Sequence, residues 1–150
     1  MNTAVLRHGS TANDGTLDRS GVRISTEIGE WLKAKNLGSR VLILTSPIMR
    51  AKQTAAILSS ALGGALEERA TLAQRADYDQ DNRWLDEFMG EFETIRDAGQ
   101  YDLLVCVTHG PSATRILDRL SPAPGKRQYL HYACGELIYP DRRSEAFKPS

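Results

Sequence analysis

A chain of 150 residues is long enough for one domain with a single sizeable core, and its 41% hydrophobic and 25% charged residues are ordinary for a globular protein. Lys and Arg number 19 and so do Asp and Glu, so no global field draws the chain to nucleic acid or an anionic membrane, and any attraction for an anion must be local. No apolar stretch approaches the roughly 20 residues that a bilayer requires. Arg7 interrupts the short N-terminal apolar run, which is not the layout of a signal peptide. Cys106 and Cys134 form no C-x-x-C pair, so the economical expectation is a reduced, cytoplasmic protein.

A first strand is expected over Thr3 to Leu6, followed by a loop rich in turn formers from Ser10 to Gly15. Ile24, Ile28, Trp31 and Leu32 recur at the spacing of one helix face, in a helix ending near Asn36-Leu37-Gly38. The apolar run from Val41 leads through Thr45 into a second helix, with Ser46 as N-cap and Pro47 in its first turn. Ile48, Ala51, Ala55, Leu58 and Leu62 give that helix its buried stripe, and Gly63-Gly64 stops it. The segment from Glu67 to Gln80 is polar and without clear period. A third helix fits Asn82 to Ala98, with Leu85, Phe88, Met89, Phe92 and Ile95 on one face. Leu103 to Thr108 is the third strong strand, and the helix from Pro111 turns Ala113, Ile116, Leu117 and Leu120 inward. After the loop Ser121 to Gly125, Tyr129 to Tyr132 and Leu137 to Tyr139 read as two short strands. Such alternation predicts an α/β fold: one domain over residues 1–150, with a mostly parallel sheet and helices on both faces.

In open α/β sheets ligands bind beyond the carboxyl ends of the strands. Arg7-His8-Gly9 follows the first strand, Ser46 to Arg50 follows the second, and Thr108-His109-Gly110 follows the third. Two arginines and two histidines would therefore converge on one sheet edge. A phosphoryl group carries charge on its non-bridging oxygens throughout transfer, so its site needs fixed cations and oriented donors. Arginine stays charged and grips two oxygens with one planar fork, which suits Arg7 and Arg50. A neutral imidazole is nucleophilic and a protonated one donates to phosphate, so one of His8 and His109 could attack phosphorus while the other stabilises charge.

These three segments, with Thr45-Ser46-Pro47, Arg50-Ala51 and Gln53-Thr54-Ala55, resemble the signature of the histidine phosphatase superfamily, also called phosphoglycerate mutase-like. The resemblance runs from Met1 to about Tyr139. It implies that His8 is the nucleophile that becomes phosphohistidine, and that Arg7, Arg50 and His109 form the phosphate pocket. Gly9, Thr11, Asn13 and Gly110 would line it, and no metal or organic cofactor is implied. Family members often carry asparagine six residues after the nucleophile, where this chain has Asp14 with Asn13 one place early. Many also show Leu-x-Glu between the second and third motifs as general acid, and the nearest match here is Leu72-Ala73-Gln74. Glutamine donates no proton to a leaving alkoxide. Glu67, Glu68, Asp77, Asp79 and Asp81 lie nearby in sequence as substitutes.

A departing alkoxide gains a factor of about 10²–10⁴ from general acid catalysis, whereas a phosphoramidate leaving group can carry its own proton. The resemblance is therefore nearest to the small phosphohistidine phosphatases, with a phosphorylated small molecule or a phosphoprotein as substrate. A small-metabolite phosphomonoesterase, or a catalytically weak phosphate-binding module, remains as an alternative. The short chain leaves little room for the caps that mutases use. His131 reads as packing or surface, and Lys126-Arg127 as a solvated basic pair.

Overall fold

Val41–Thr45 (β2) and Leu103–Thr108 (β4) are almost wholly apolar, the pattern of strands covered on both faces. Both are buried at every position in the structure, a computed structural model that describes residues 1–73, 82–122 and 134–149. With Asn2–Arg7 (β1), Ala65–Glu68 (β3), Gly135–Ile138 (β5) and Ser144–Ala146 (β6) they form one sheet in the order β3-β2-β4-β1-β5-β6. The first four run parallel, while β5 and β6 are antiparallel additions at one edge. This is the mostly parallel α/β sheet that the strand-helix alternation predicts.

Successive side chains of a strand point to opposite faces, and here each face has its own core. Ala4, Leu6, Ile43, Val105 and Val107 pack against Ile28 and Leu32 of Arg19–Ala34 (α1) and Ala55 and Leu58 of Met49–Leu62 (α2). Val5, Leu42, Leu44, Leu104 and Cys106 meet Phe88 and Phe92 of Arg83–Ala98 (α3) and Ile116 and Leu117 of Gly110–Leu120 (α4). Phe88 is wholly buried in that second core, so truncating it to alanine would cost on the order of 3–5 kcal/mol. Among the described residues no helix is long and apolar enough to cross a membrane.

The second helix starts later than its sequence suggests. Ile48, not Ser46, is its N-cap residue, and no side chain caps it. Ser46 instead receives the Ile48 N–H on its hydroxyl at 3.2 Å, which turns the chain into the helix while leaving Pro47 outside it. At the other end Gly63 adopts φ +71°, where a side chain would be strained, and ends the helix as expected. Two short strands escape the periodicity argument. β3 has four exposed residues, and β6 spans only three. The expected strand from Tyr129 to Tyr132 lies outside the described residues, as do Gln74, Asp77, Asp79, Asp81, Lys126, Arg127 and His131.

Register is what places the chemistry. Arg7 sits opposite Thr108, and Thr45 opposite Val107, so the carboxyl ends of β2, β4 and β1 stop level with one another. The His8 N–H donates to Thr108 O and the Ser46 N–H donates to Val107 O, each at 3.0 Å, carrying the ladder one step past the strands.

Candidate active site

His8 and His109 leave adjacent strands β1 and β4, and their rings stand edge to face with centroids 5.3 Å apart. Both are buried. Arg50, in the first turn of α2, reaches across to donate from Nε to His8 Nε2 at 3.0 Å. An arginine nitrogen can only donate, so His8 Nε2 must carry a lone pair and the ring proton must sit on Nδ1. Nδ1 lies 2.8 Å from the Gly9 carbonyl oxygen, to which it donates. The ring is thereby fixed as the neutral tautomer with its lone pair on Nε2.

Electrostatics point the same way. The pKa of His8 is lowered from 6.5 to about 4, first by burial and then by the cations of Arg50 and Arg7, against an opposing pull from the Gly9 carbonyl. His8 is thus uncharged across the physiological range. Arg7 packs along Gly110, the residue after His109 at the start of α4, and its charge also acts on His8.

The loop after His8 is pinned from two sides. The Gly9 N–H donates to Thr54 Oγ1 at 3.0 Å, and that hydroxyl donates to Arg50 O. The Leu17 N–H donates to Gln53 Oε1 at 2.8 Å. Asp18, the N-cap of α1, accepts from both Ser10 Oγ and the Gly21 N–H, contacts that hold its carboxyl below the ordinary range. A Cβ on Gly9 would meet Gly21 O at 2.9 Å, so the loop lies directly on the α1 backbone.

Gln53 and Thr54, which belong to the second motif, thus serve as props for the loop after His8. Arg50, Gln53 and Thr54 fall at i, i+3 and i+4, which is one helix face, and that spacing is the sequence signal for their shared task. Thr11 bridges to Leu17 across the loop, and Asn13 is exposed in it. Asp14, which stands where the family often has asparagine, accepts from the N–H and Oγ1 of Thr16 and so serves its own turn. Glu67 and Glu68, two of the substitute acids, are exposed and paired with Arg69 and Lys52. Burial raises the pKa of both thiols, that of Cys106 to about 12, which suppresses thiolate chemistry. Among the described residues no three His, Cys, Asp or Glu side chains gather as metal ligands would.

The sequence model of the histidine phosphatase superfamily (branch 1) matches residues 4–123. The chain belongs to that superfamily. It is a phosphatase of the class that uses a histidine nucleophile. Among solved structures, this histidine phosphatase is similar to the protein histidine phosphatase SixA complexed with tungstate, with 18% identity, a TM-score of 0.77, and 99% of this chain and 95% of that one covered. A mycobacterial glucosyl-3-phosphoglycerate phosphatase complexed with VO3 matches at 17% identity and a TM-score of 0.67, over 97% of this chain and 96% of that one. The phosphoglycerate mutase from Plasmodium falciparum matches at 16% identity and a TM-score of 0.66, over 98% and 88%. At such identities the likeness establishes a shared phosphoglycerate mutase-like fold. No curated protein sequence matches.

Proposed function

We propose that residues 1–150 form one cytoplasmic histidine phosphatase domain that removes a phosphoryl group through a covalent intermediate on His8, with phosphohistidine protein as its preferred substrate. The observation that carries the reading is the paired hydrogen bonding of His8: Arg50 holds Nε2 as an acceptor while Gly9 O takes the Nδ1 proton. The arginine contact must pass to a phosphoryl oxygen before attack, since one lone pair cannot serve both. Arg50 and Arg7 then neutralise the non-bridging oxygens, and His109 donates to the charge that builds in the transition state. The Nε2 lone pair forms the N–P bond as the bond from phosphorus to the leaving group breaks. Water next attacks phosphorus, the N–P bond breaks, and orthophosphate leaves with His8 restored. Gly9, Thr11, Asn13 and Gly110 border the phosphoryl group in this reading.

Two things support phosphohistidine over an alkyl phosphate. Gln74 is the nearest match to the family's general acid, and of the neighbouring carboxylates Glu67 and Glu68 are engaged with basic neighbours, while Asp77, Asp79 and Asp81 lie outside the described residues. When the P–N bond of phosphohistidine breaks, the ring leaves as neutral imidazole with its proton on the other ring nitrogen, so no such acid is needed. The fold likeness to a protein histidine phosphatase agrees with this choice.

Trapping with labelled phosphohistidine protein should yield an acid-labile, base-stable phosphoenzyme that is absent in His8→Ala. Turnover should be fast on phosphohistidine and p-nitrophenyl phosphate and slow on alkyl phosphates such as phosphoglycerate. Wild-type turnover in His8→Ala would refute the nucleophile, and equal chemical rates on alkyl and aryl esters would remove the case for phosphohistidine.

A further inference from the structure

The Ser46 side chain is wholly buried, and it does not cap the helix that follows it. Its Oγ lies 3.0 Å from His109 Nε2. The Ile48 N–H donates to the same oxygen, and the Ser46 N–H is fixed on Val107 O, next to the strand end that carries His109. A hydroxyl has one proton and two lone pairs. With one lone pair taken by Ile48, Ser46 keeps one proton and one lone pair for the imidazole.

We infer that Ser46 is a positioning residue for His109, a clamp that serves the ring in both of its protonation states. When His109 is neutral with a lone pair on Nε2, Ser46 donates its hydroxyl proton. When His109 is protonated, Nε2–H donates to the remaining lone pair of Ser46. No backbone movement is needed between the two, only rotation of one hydroxyl. The ring plane therefore stays fixed while its charge changes, as a group that stabilises a transient phosphoryl charge requires. Because β2 and β4 are hydrogen-bonded neighbours, the clamp is held by the rigid centre of the sheet. Thr45 helps to set it, since its hydroxyl donates to the Ser46 carbonyl at 2.9 Å.

This inference rests on the reading of the pocket as the place of phosphoryl transfer, and the two can fail separately. The test is a double-mutant cycle with p-nitrophenyl phosphate as substrate, comparing wild type, Ser46→Ala, His109→Ala and the double variant. Ser46→Ala should lower kcat about tenfold to a hundredfold, the loss that accompanies one hydrogen bond to an ionisable group, with KM moving far less. In the His109→Ala background the same substitution should cost little more, because the ring it acts through has gone. Ser46→Thr keeps the hydroxyl and should recover most of the lost kcat. Circular dichroism and Tm of each variant confirm the fold. Unchanged kcat in Ser46→Ala, or losses that multiply fully in the double variant, would overturn the role of Ser46 while leaving the pocket reading intact. Undiminished turnover in both His8→Ala and His109→Ala would overturn both.

Discussion

Gly110 and Arg7 are in van der Waals register: a Cβ built on Gly110 would lie 3.3 Å from the Cδ, Nε and Cζ atoms of the Arg7 side chain. The glycine of the third motif therefore acts on the arginine of the first. Its φ is not positive, so the constraint is proximity and not backbone strain.

Gly110→Ala should fold and yet bind oxyanion less well. The added methyl displaces the guanidinium by a few tenths of an ångström, enough to disturb a two-point grip on phosphate. Vanadate affinity, measured by inhibition of p-nitrophenyl phosphate turnover, should fall several-fold with little change in Tm. Unaltered inhibition would mean that Arg7 does not depend on Gly110 for its aim.

The lowered pKa of His8 gives a directional pH test. The free enzyme's acid limb of kcat/KM should lie near pH 4, well below the 6.5 of an ordinary histidine, because the proposed nucleophile His8 must be neutral. Arg50→Ala removes one of the two cations that depress this value, so the limb should move upward. Vanadate affinity should fall about tenfold to a hundredfold in the same variant, from the loss of a charge-assisted contact. An acid limb unmoved between wild type and variant would contradict the pairing of Arg50 with His8.

The same residue links folding to pH. A histidine whose folded pKa lies below its unfolded value takes up its proton more readily in the unfolded chain. Its contribution to stability is complete above about pH 6.5 and fades as pH falls towards 4. His8→Asn should flatten the decline of Tm across that window, and a parallel decline in both proteins would show that other groups control it.

Thr54→Val keeps the shape of the side chain and removes the acceptor for the buried Gly9 N–H. An unsatisfied buried amide costs about 1–3 kcal/mol, so urea unfolding should show a loss in that range. Turnover should fall as well, because Gly9 O is the group that orients His8. A variant of full stability and full activity would show that the loop is held by other contacts.

The fold and the reacting groups were legible in different ways. β2 and β4 announced themselves because fully buried strands are apolar at every position, and their observed bounds include every residue expected. β3 did not, since its Leu66, Glu67 and Glu68 are all exposed and its place comes from pairing with β2 alone. Arg7, His8, Arg50 and His109 stood out by chemistry at strand ends, and the structure brings them together. Serine before a proline and an apolar stripe is usually a cap, whereas here the cap is Ile48 and Ser46 turns to His109. Its bond to His109 spans 63 positions, and no local pattern can reveal such a partner.

The ladder that continues past the strands, from His8 to Thr108 and from Ser46 to Val107, has a consequence for how the molecule breathes. Loop-borne sites can open while the rest of a protein stays folded. Here the amides of His8 and Ser46 belong to the last rungs of the central strands, so their hydrogen exchange should require the sheet itself to part. Inactivation by heat or denaturant and loss of the fold would then be one event, with no folded but disarmed state between them.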